Sequence, residues 1–105
     1  MIYSVKISTQ AEEDLKGIFE YIAFDLMSLQ NANAQLGRLE SNILKLKEMP
    51  ERFRAYDKEP WKTRGLRIMP VDNYLVFYIP DKKTQTVTVI RVMYGSRDTD
   101  KQLNP

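Results

Sequence analysis

Apolar residues at Ala11, Leu15, Ile18, Ile22 and Leu26 are spaced by four, three, four and four positions. Ala32, Leu36, Leu39, Ile43 and Leu46 follow at steps of four, three, four and three. Each series draws one apolar stripe along a helix, so the spacing predicts helices over roughly residues 10–27 and from about Ala32 to Met49. Pro50 ends the second because it cannot donate the next helical hydrogen bond. The joint around Ser28 to Asn31 is short enough for an antiparallel hairpin, and each helix must bury its stripe, which makes the Leu and Ile side chains core rather than a partner groove. Ser8-Thr9 signals the first N-cap, with Thr9 and Glu12 spaced as a capping box. Glu12, Glu13 and Asp14 then fall in the first turn, where the helix dipole favours negative charge, and this accounts for them without a catalytic carboxylate pair.

Strands flank the hairpin. Tyr3, Val5 and Ile7 alternate with Ser4 and Lys6, as in a half-buried strand. From Pro50 to Trp61 periodicity is lost and a loop is predicted. Gly65 to Val71 alternates, Asp72-Asn73 marks a turn, and Tyr74 to Ile79 is apolar at nearly every position, which predicts a central strand covered on both faces. After a polar loop from Pro80 to Gln85, Thr86 to Tyr94 is rich in β-branched residues and Gly95 ends it. The order strand, helix, helix, loop and a three-strand meander implies an α+β fold with the helical hairpin packed on a small, largely antiparallel sheet. With 105 residues and no repeat, low-complexity tract or linker, residues 1–105 are expected to form one domain.

Composition narrows the chemistry. The chain has no Cys and no His, which excludes a thiol nucleophile, an imidazole base, a Ser-His-Asp triad and Cys- or His-type metal sites. The four glycines form no phosphate-binding loop. No cofactor and no metal are expected. Residues 1–10 lack the pattern of a signal peptide, and no stretch is long and apolar enough for a membrane span, so a cytoplasmic location without a membrane partner is expected. Net charge is only +2, yet residues 1–49 carry five basic and seven acidic side chains, and residues 50–105 eleven and seven. The second half is therefore where a site for an acidic or anionic partner is sought. There Trp61 lies between Pro60 and Lys62, a pairing that can stack on bases and neutralise phosphates, or simply anchor the loop on the core, which Trp burial favours; Phe53 and Tyr56 pose the same choice.

Ala11-Glu12-Glu13-Asp14-Leu15, Tyr21-Ile22, Pro50 with Arg54, Gly65-Leu66-Arg67, Asn73 to Tyr78 and Arg91 to Asp98 together resemble the RelE/ParE superfamily of toxins from bacterial type II toxin-antitoxin modules. The likeness runs from Ile2 to Asp98 in the family's order. It implies a toxin that arrests growth when its antitoxin is degraded. Two activities occur in the superfamily: RelE-type members cleave mRNA in the ribosomal A site with Lys, Arg and Tyr side chains, and ParE-type members poison DNA gyrase without that cluster. Here the segment Gly65 to Met69 has only Arg67 as a basic residue, Leu75 stands where RelE resembles this chain but has an arginine, and Arg97 matches a basic nuclease position. The long helices and the Tyr94-Gly95-Ser96-Arg97-Asp98 ending are more ParE-like.

Gyrase inhibition is therefore the expected activity. The alternatives are a ribosome-dependent, metal-independent mRNA endoribonuclease and a degenerate relative that only binds its antitoxin. As a nuclease the chain would use Arg97, Arg67 and Tyr94 as catalytic groups, without an evident general base. Lys62, Arg64, Arg67, Arg91 and Arg97 are the candidates for target binding, and Arg64, Arg67, Arg91 and Arg97 for an acidic antitoxin segment that folds on binding. Solvent-facing positions on alternating strands would equally explain Arg67 and Arg91, and an ion pair with Asp98 would explain Arg97.

Overall fold

The computed structural model describes residues 2–96 and 99–103. Strand β1 (Ser4–Ile7) leads into helix α1 (Thr9–Glu20), a π-helical turn (Tyr21–Asp25), helix α2 (Leu29–Leu44) and a 3-10 turn (Lys45–Lys47). A second 3-10 turn (Pro50–Arg52) and the short helix α3 (Trp61–Arg64) precede strands β2 (Arg67–Val71), β3 (Tyr74–Asp81) and β4 (Thr86–Tyr94), and helix α4 (Thr99–Leu103) follows. The sheet order is β1-β4-β3-β2, with β1 parallel to β4 and the other pairs antiparallel. This is the predicted α+β arrangement, with α3 and α4 as additions.

The sheet is covered on both faces. Under the helical hairpin, Leu15, Leu39, Ile43 and Leu46 pack on Met69, Val71, Val76, Tyr78, Val87, Val89 and Val92. On the other face Leu66, Ile68, Phe77 and Met93 are covered by Tyr56 and Leu103, with Trp61 packed against them. Val76, Phe77 and Tyr78 are consecutive and fully buried, as a strand with a layer on each side requires. The stripe on α2 faces the core as its spacing predicts, with Leu36 partly buried and the rest buried, whereas that on α1 fails at its last member: Leu26 is exposed. The π-helical turn has one residue more per hydrogen-bonded ring than an α-helix, so the stripe rotates out of register after Ile22. Beyond that point Ile22, Ala23 and Ala32 form a separate small core between the helices.

Local hydrogen bonds differ from the expected capping box. Ser8, not Thr9, caps α1: its Oγ accepts from Ala11 N at 3.0 Å and donates to Ile90 O at 2.9 Å. One side chain thereby starts the helix and fastens it to β4, and Glu12 is left one position too late to complete a box. On β4, a bulge sets Tyr78 against Val89 but Phe77 against Arg91, leaving Ile90 extra. The extra residue turns Arg91 out of the hairpin-facing row and keeps Val89 and Val92 both in it. At the outer edge, the Ile68 N–H donates to Arg54 O at 3.0 Å and Pro70 has no N–H, so β2 presents little to another strand.

The Tyr78 hydroxyl is buried and donates to Pro50 O at 2.6 Å, and burial pushes its pKa up to about 12. Replacing Tyr78 with Phe leaves that carbonyl without its partner. The expected cost is about 1–2 kcal/mol in urea unfolding at neutral pH, with the fold retained; an unchanged midpoint would show that the hydroxyl does not hold the Pro50 turn.

Candidate functional site

Basic side chains concentrate in the segment that leaves α2 and enters β2. Between residues 50 and 67 there are six Arg or Lys and three Asp or Glu. Tyr78 fixes the start of this segment at Pro50, and Arg67 fixes its next residues: Arg67 Nη1 donates to Glu51 O at 2.9 Å and Phe53 O at 2.6 Å. Tyr56 N–H donates to Leu66 O, and the Trp61 indole donates to Leu103 O at 3.2 Å. Within the segment, Glu59 accepts from Thr63 N and Thr63 Oγ1, which hold its carboxyl below its ordinary pKa. The backbone is thus tied down at several points. Arg52, Arg54, Lys62 and Arg64 remain exposed on its outside, with Arg52 lying over the Phe53 ring and Arg64 over Trp61, each at 5.0 Å.

The aromatic residues of this segment are anchors. Tyr56 is buried, Phe53 packs against the hairpin-side core, and Trp61 packs against the core on the opposite face. The anchoring alternative raised by the sequence therefore describes their contacts.

The sequence-predicted residues that the structure describes do not converge on one place. Arg67 shares the hairpin-facing side of β2 with Met69 and Val71, whereas Lys62 and Arg64 belong to α3, whose Trp61 covers the opposite face. Arg91 is neither solvent-facing nor free. Its Nε and Nη2 meet the two oxygens of Asp14 at 2.7 and 3.1 Å, and its Nη1 donates to Gln102 O at 3.1 Å. Only 18% of the Arg91 side chain and 11% of the Asp14 side chain is accessible. The same carboxylate accepts from Val92 N at 2.9 Å, so Asp14 joins α1 to β4 rather than merely answering the helix dipole. Tyr94 is exposed and packs edge-on to Tyr74, with ring centroids 5.6 Å apart. Arg67 lies level with Tyr78 and Val89, and Tyr94 lies level with Tyr74 and Val71. Strand rise and spacing then place Arg67 and Tyr94 roughly 16 Å apart at Cα. Arg97 and Asp98 lie outside the described residues.

Sequence reasoning overlooked two features. Arg52 and Arg54 complete the exposed basic surface, and the local excess of basic residues could have indicated them. Burial pushes the Tyr74 pKa up, with Tyr94 and Tyr21 adding to the shift, so three tyrosines from α1's continuation, β3 and β4 gather near one end of the sheet. Their sequence separation hides that gathering. Among the described residues, no helix is long and apolar enough to cross a membrane.

A helical hairpin on this four-stranded sheet, with β1 parallel to β4, defines a RelE/ParE-type toxin fold. The chain belongs to the ParE toxin family of type II toxin-antitoxin systems: the family pattern, that of the ParE toxin of parDE, matches residues 5–99. Solved structures share the architecture. A chromosomal ParDE system from P. aeruginosa superimposes with a TM-score of 0.72 at 14% identity, over 89% of this chain and 96% of that one. The toxin-antitoxin complex RelBE2 from Mycobacterium tuberculosis gives 0.63 at 21% identity, over 90% and 99%. A mutant of E. coli toxin RelE in the free state gives 0.65 at 14%, over 99% and 100%. At these identities the likeness is one of fold. No curated protein sequence matches the chain significantly.

Two outcomes test the placements. Asp14→Ala strands the Arg91 guanidinium and the Val92 N–H, and is expected to destabilise by about 3 kcal/mol in chemical unfolding. Arg64→Ala, on the surface, is expected to change stability by no more than about 0.5 kcal/mol. Comparable losses from both would remove the distinction between the internal and external arginines.

The second outcome concerns α4, where Asp100 is held by Lys58 and Tyr56, which lower its pKa. A carboxyl with a depressed folded pKa stabilises the docked form above its unfolded pKa of about 3.9 and loses that contribution as pH falls through the lower folded value. The only tryptophan, Trp61, reports on α4 through Leu103. Its emission should shift to the red on acidification below about pH 4, and Asp100→Asn should show the shift already at pH 7. Unchanged emission in that variant would mean that Asp100 does not hold α4.

Proposed function

We propose that this toxin arrests growth by binding and inhibiting DNA gyrase. One observation carries the preference over RNA cleavage. Arg67 and Arg91 are engaged with backbone carbonyls and with Asp14, and Arg67 stands roughly a sheet's width from Tyr94. Cleavage of RNA without a metal calls for a base, an acid and cations around one phosphate. Inhibition by binding calls only for a surface. Membership of the ParE family supports the same choice.

An antitoxin is the second partner proposed, encoded with the toxin and neutralising it. Arg64 is available to an acidic antitoxin segment, together with Lys62, Arg52 and Arg54; Arg67 and Arg91 would contribute only after giving up their internal contacts. The exposed basic residues of segment 50–67 also give the mRNA endoribonuclease reading its remaining support, because cations suit a phosphate backbone. Induction of the toxin alone in bacteria is expected to stop growth, relax plasmid DNA and leave mRNA on translating ribosomes uncut, and co-expression of the adjacent antitoxin to restore growth. Codon-phased mRNA cuts with normal supercoiling would reject gyrase in favour of the nuclease, and loss of those cuts in Arg97→Ala would place Arg97 in a catalytic site.

A further inference from the structure

The end of the helical hairpin carries an apolar surface that the fold does not use. Within nine residues, Tyr21, Phe24, Leu26, Met27 and Leu29 are each more than half exposed, Phe24 at 67% and Met27 at 87%. The local core of Ile22, Ala23 and Ala32 is complete without them. Large apolar side chains grouped so closely on a water-facing surface mark a place where another molecule binds.

The backbone presents them in a fixed arrangement. The π-helical turn moves the stripe outward after Ile22, and Leu26 N–H donates back to Tyr21 O at 3.0 Å. Met27 takes a left-handed conformation with φ of 55°, which is unfavourable for a side chain without a polar group to compensate. Ser28 N–H then donates to Ile22 O, and Ser28 Oγ caps α2 by accepting from Asn31 N. A surface held in this way loses little freedom on binding.

Charge identifies the occupant. Glu20 and Asp25 are the only charged residues between Lys16 and Arg38. Two negative charges and no positive one repel nucleic acid and anionic lipid, and would face each other across a symmetric pair of tips. An acidic antitoxin segment is drawn instead to the basic segment 50–67. What fits is a protein surface with an apolar groove and a basic rim. We infer that the hairpin tip is the toxin's target-docking element, with Phe24 and Met27 entering such a groove and Glu20 and Asp25 meeting its basic border. This inference rests on the reading that the toxin acts by binding a protein, and it adds where the contact is made.

The test uses the full chain and purified gyrase in a supercoiling assay. Phe24→Ser combined with Met27→Ser should raise the half-inhibitory concentration more than tenfold, and Glu20→Lys with Asp25→Lys should do the same. Leu44→Ser, an equally exposed apolar position at the other end of α2, should leave it unchanged. Circular dichroism and antitoxin binding of all three should match the parent. Inhibition at parental concentration by the tip variants would overturn the inference while leaving the gyrase reading intact. If the parent chain itself does not inhibit gyrase, that reading fails, and growth arrest decides the tip: variants that no longer arrest growth but still bind the antitoxin support it, and variants that still arrest growth overturn it. Loss of antitoxin binding in the tip variants would assign the surface to the antitoxin, and a parental dimer made monomeric with inhibition intact would assign it to a second copy. Either result overturns the inference.

Discussion

The carboxylate of Asp14 stands in for a missing strand. β1 accompanies β4 only as far as Val89, and from there the outer edge of β4 has no neighbour in the sheet. Asp14 accepts the Val92 N–H and pairs with Arg91, so the edge is closed by a helix side chain. Ser8, six residues before Asp14, makes the adjoining connection to Ile90 O. Between them they set the angle at which α1 crosses the sheet, and hence where the hairpin tip projects. The bulge at Ile90 is part of the same arrangement, because without it Arg91 would point into the valine row beneath the hairpin. A nearly buried ion pair of this kind contributes little net energy over an apolar substitute; its strength is that removing either partner is costly, which favours one register over its neighbours.

The features legible in the sequence are those governed by periodicity. The α2 stripe, the continuous apolar run of β3 and the turn at Asp72-Asn73 each follow from local spacing, and each lies where it was expected. Features that depend on a partner far along the chain were hidden. Arg91 and Asp14 are separated by 77 positions, and nothing near either shows that they meet. Arg67 reads locally as a surface residue on an alternating strand, yet its guanidinium is taken up by carbonyls of the loop before it. The capping box at Thr9 failed by a single residue, because Ser8 is also needed at Ile90 and so fixes the helix start. α4 is too short to show a period, and Leu103 and Trp61 reveal its docking only in three dimensions.

The same limit applied to the site. Residue types suggested a basic cluster with a tyrosine, and the fold distributes the described members of that cluster over two faces and two ends of the sheet. Arginines that hold a small protein together and arginines that meet a partner look alike in sequence; accessibility and partner atoms separate them. By that criterion Arg67 and Arg91 are structural, and Arg52, Arg54 and Arg64 face outward. One clue was nevertheless present in the helices. Tyr21, Phe24, Met27 and Leu29 lie off both apolar stripes, so the joint holds more large apolar residues than two amphipathic helices can bury.

That surplus gives the protein two chemically different ends, and on the proposed reading each end meets a different partner. An acidic, apolar tip and a basic loop select different surfaces by charge, so mutations at one need not weaken the other. The fold keeps them separate at little cost. The tip is stabilised by its own Ile22, Ala23 and Ala32 core, and the loop by Tyr78 and Arg67, neither of which belongs to that core. Asp14 and Ser8, which orient α1, and through it the tip, on the sheet, contribute to neither surface directly. Selection on binding can therefore change the exposed residues at either end while the connection between them stays the same.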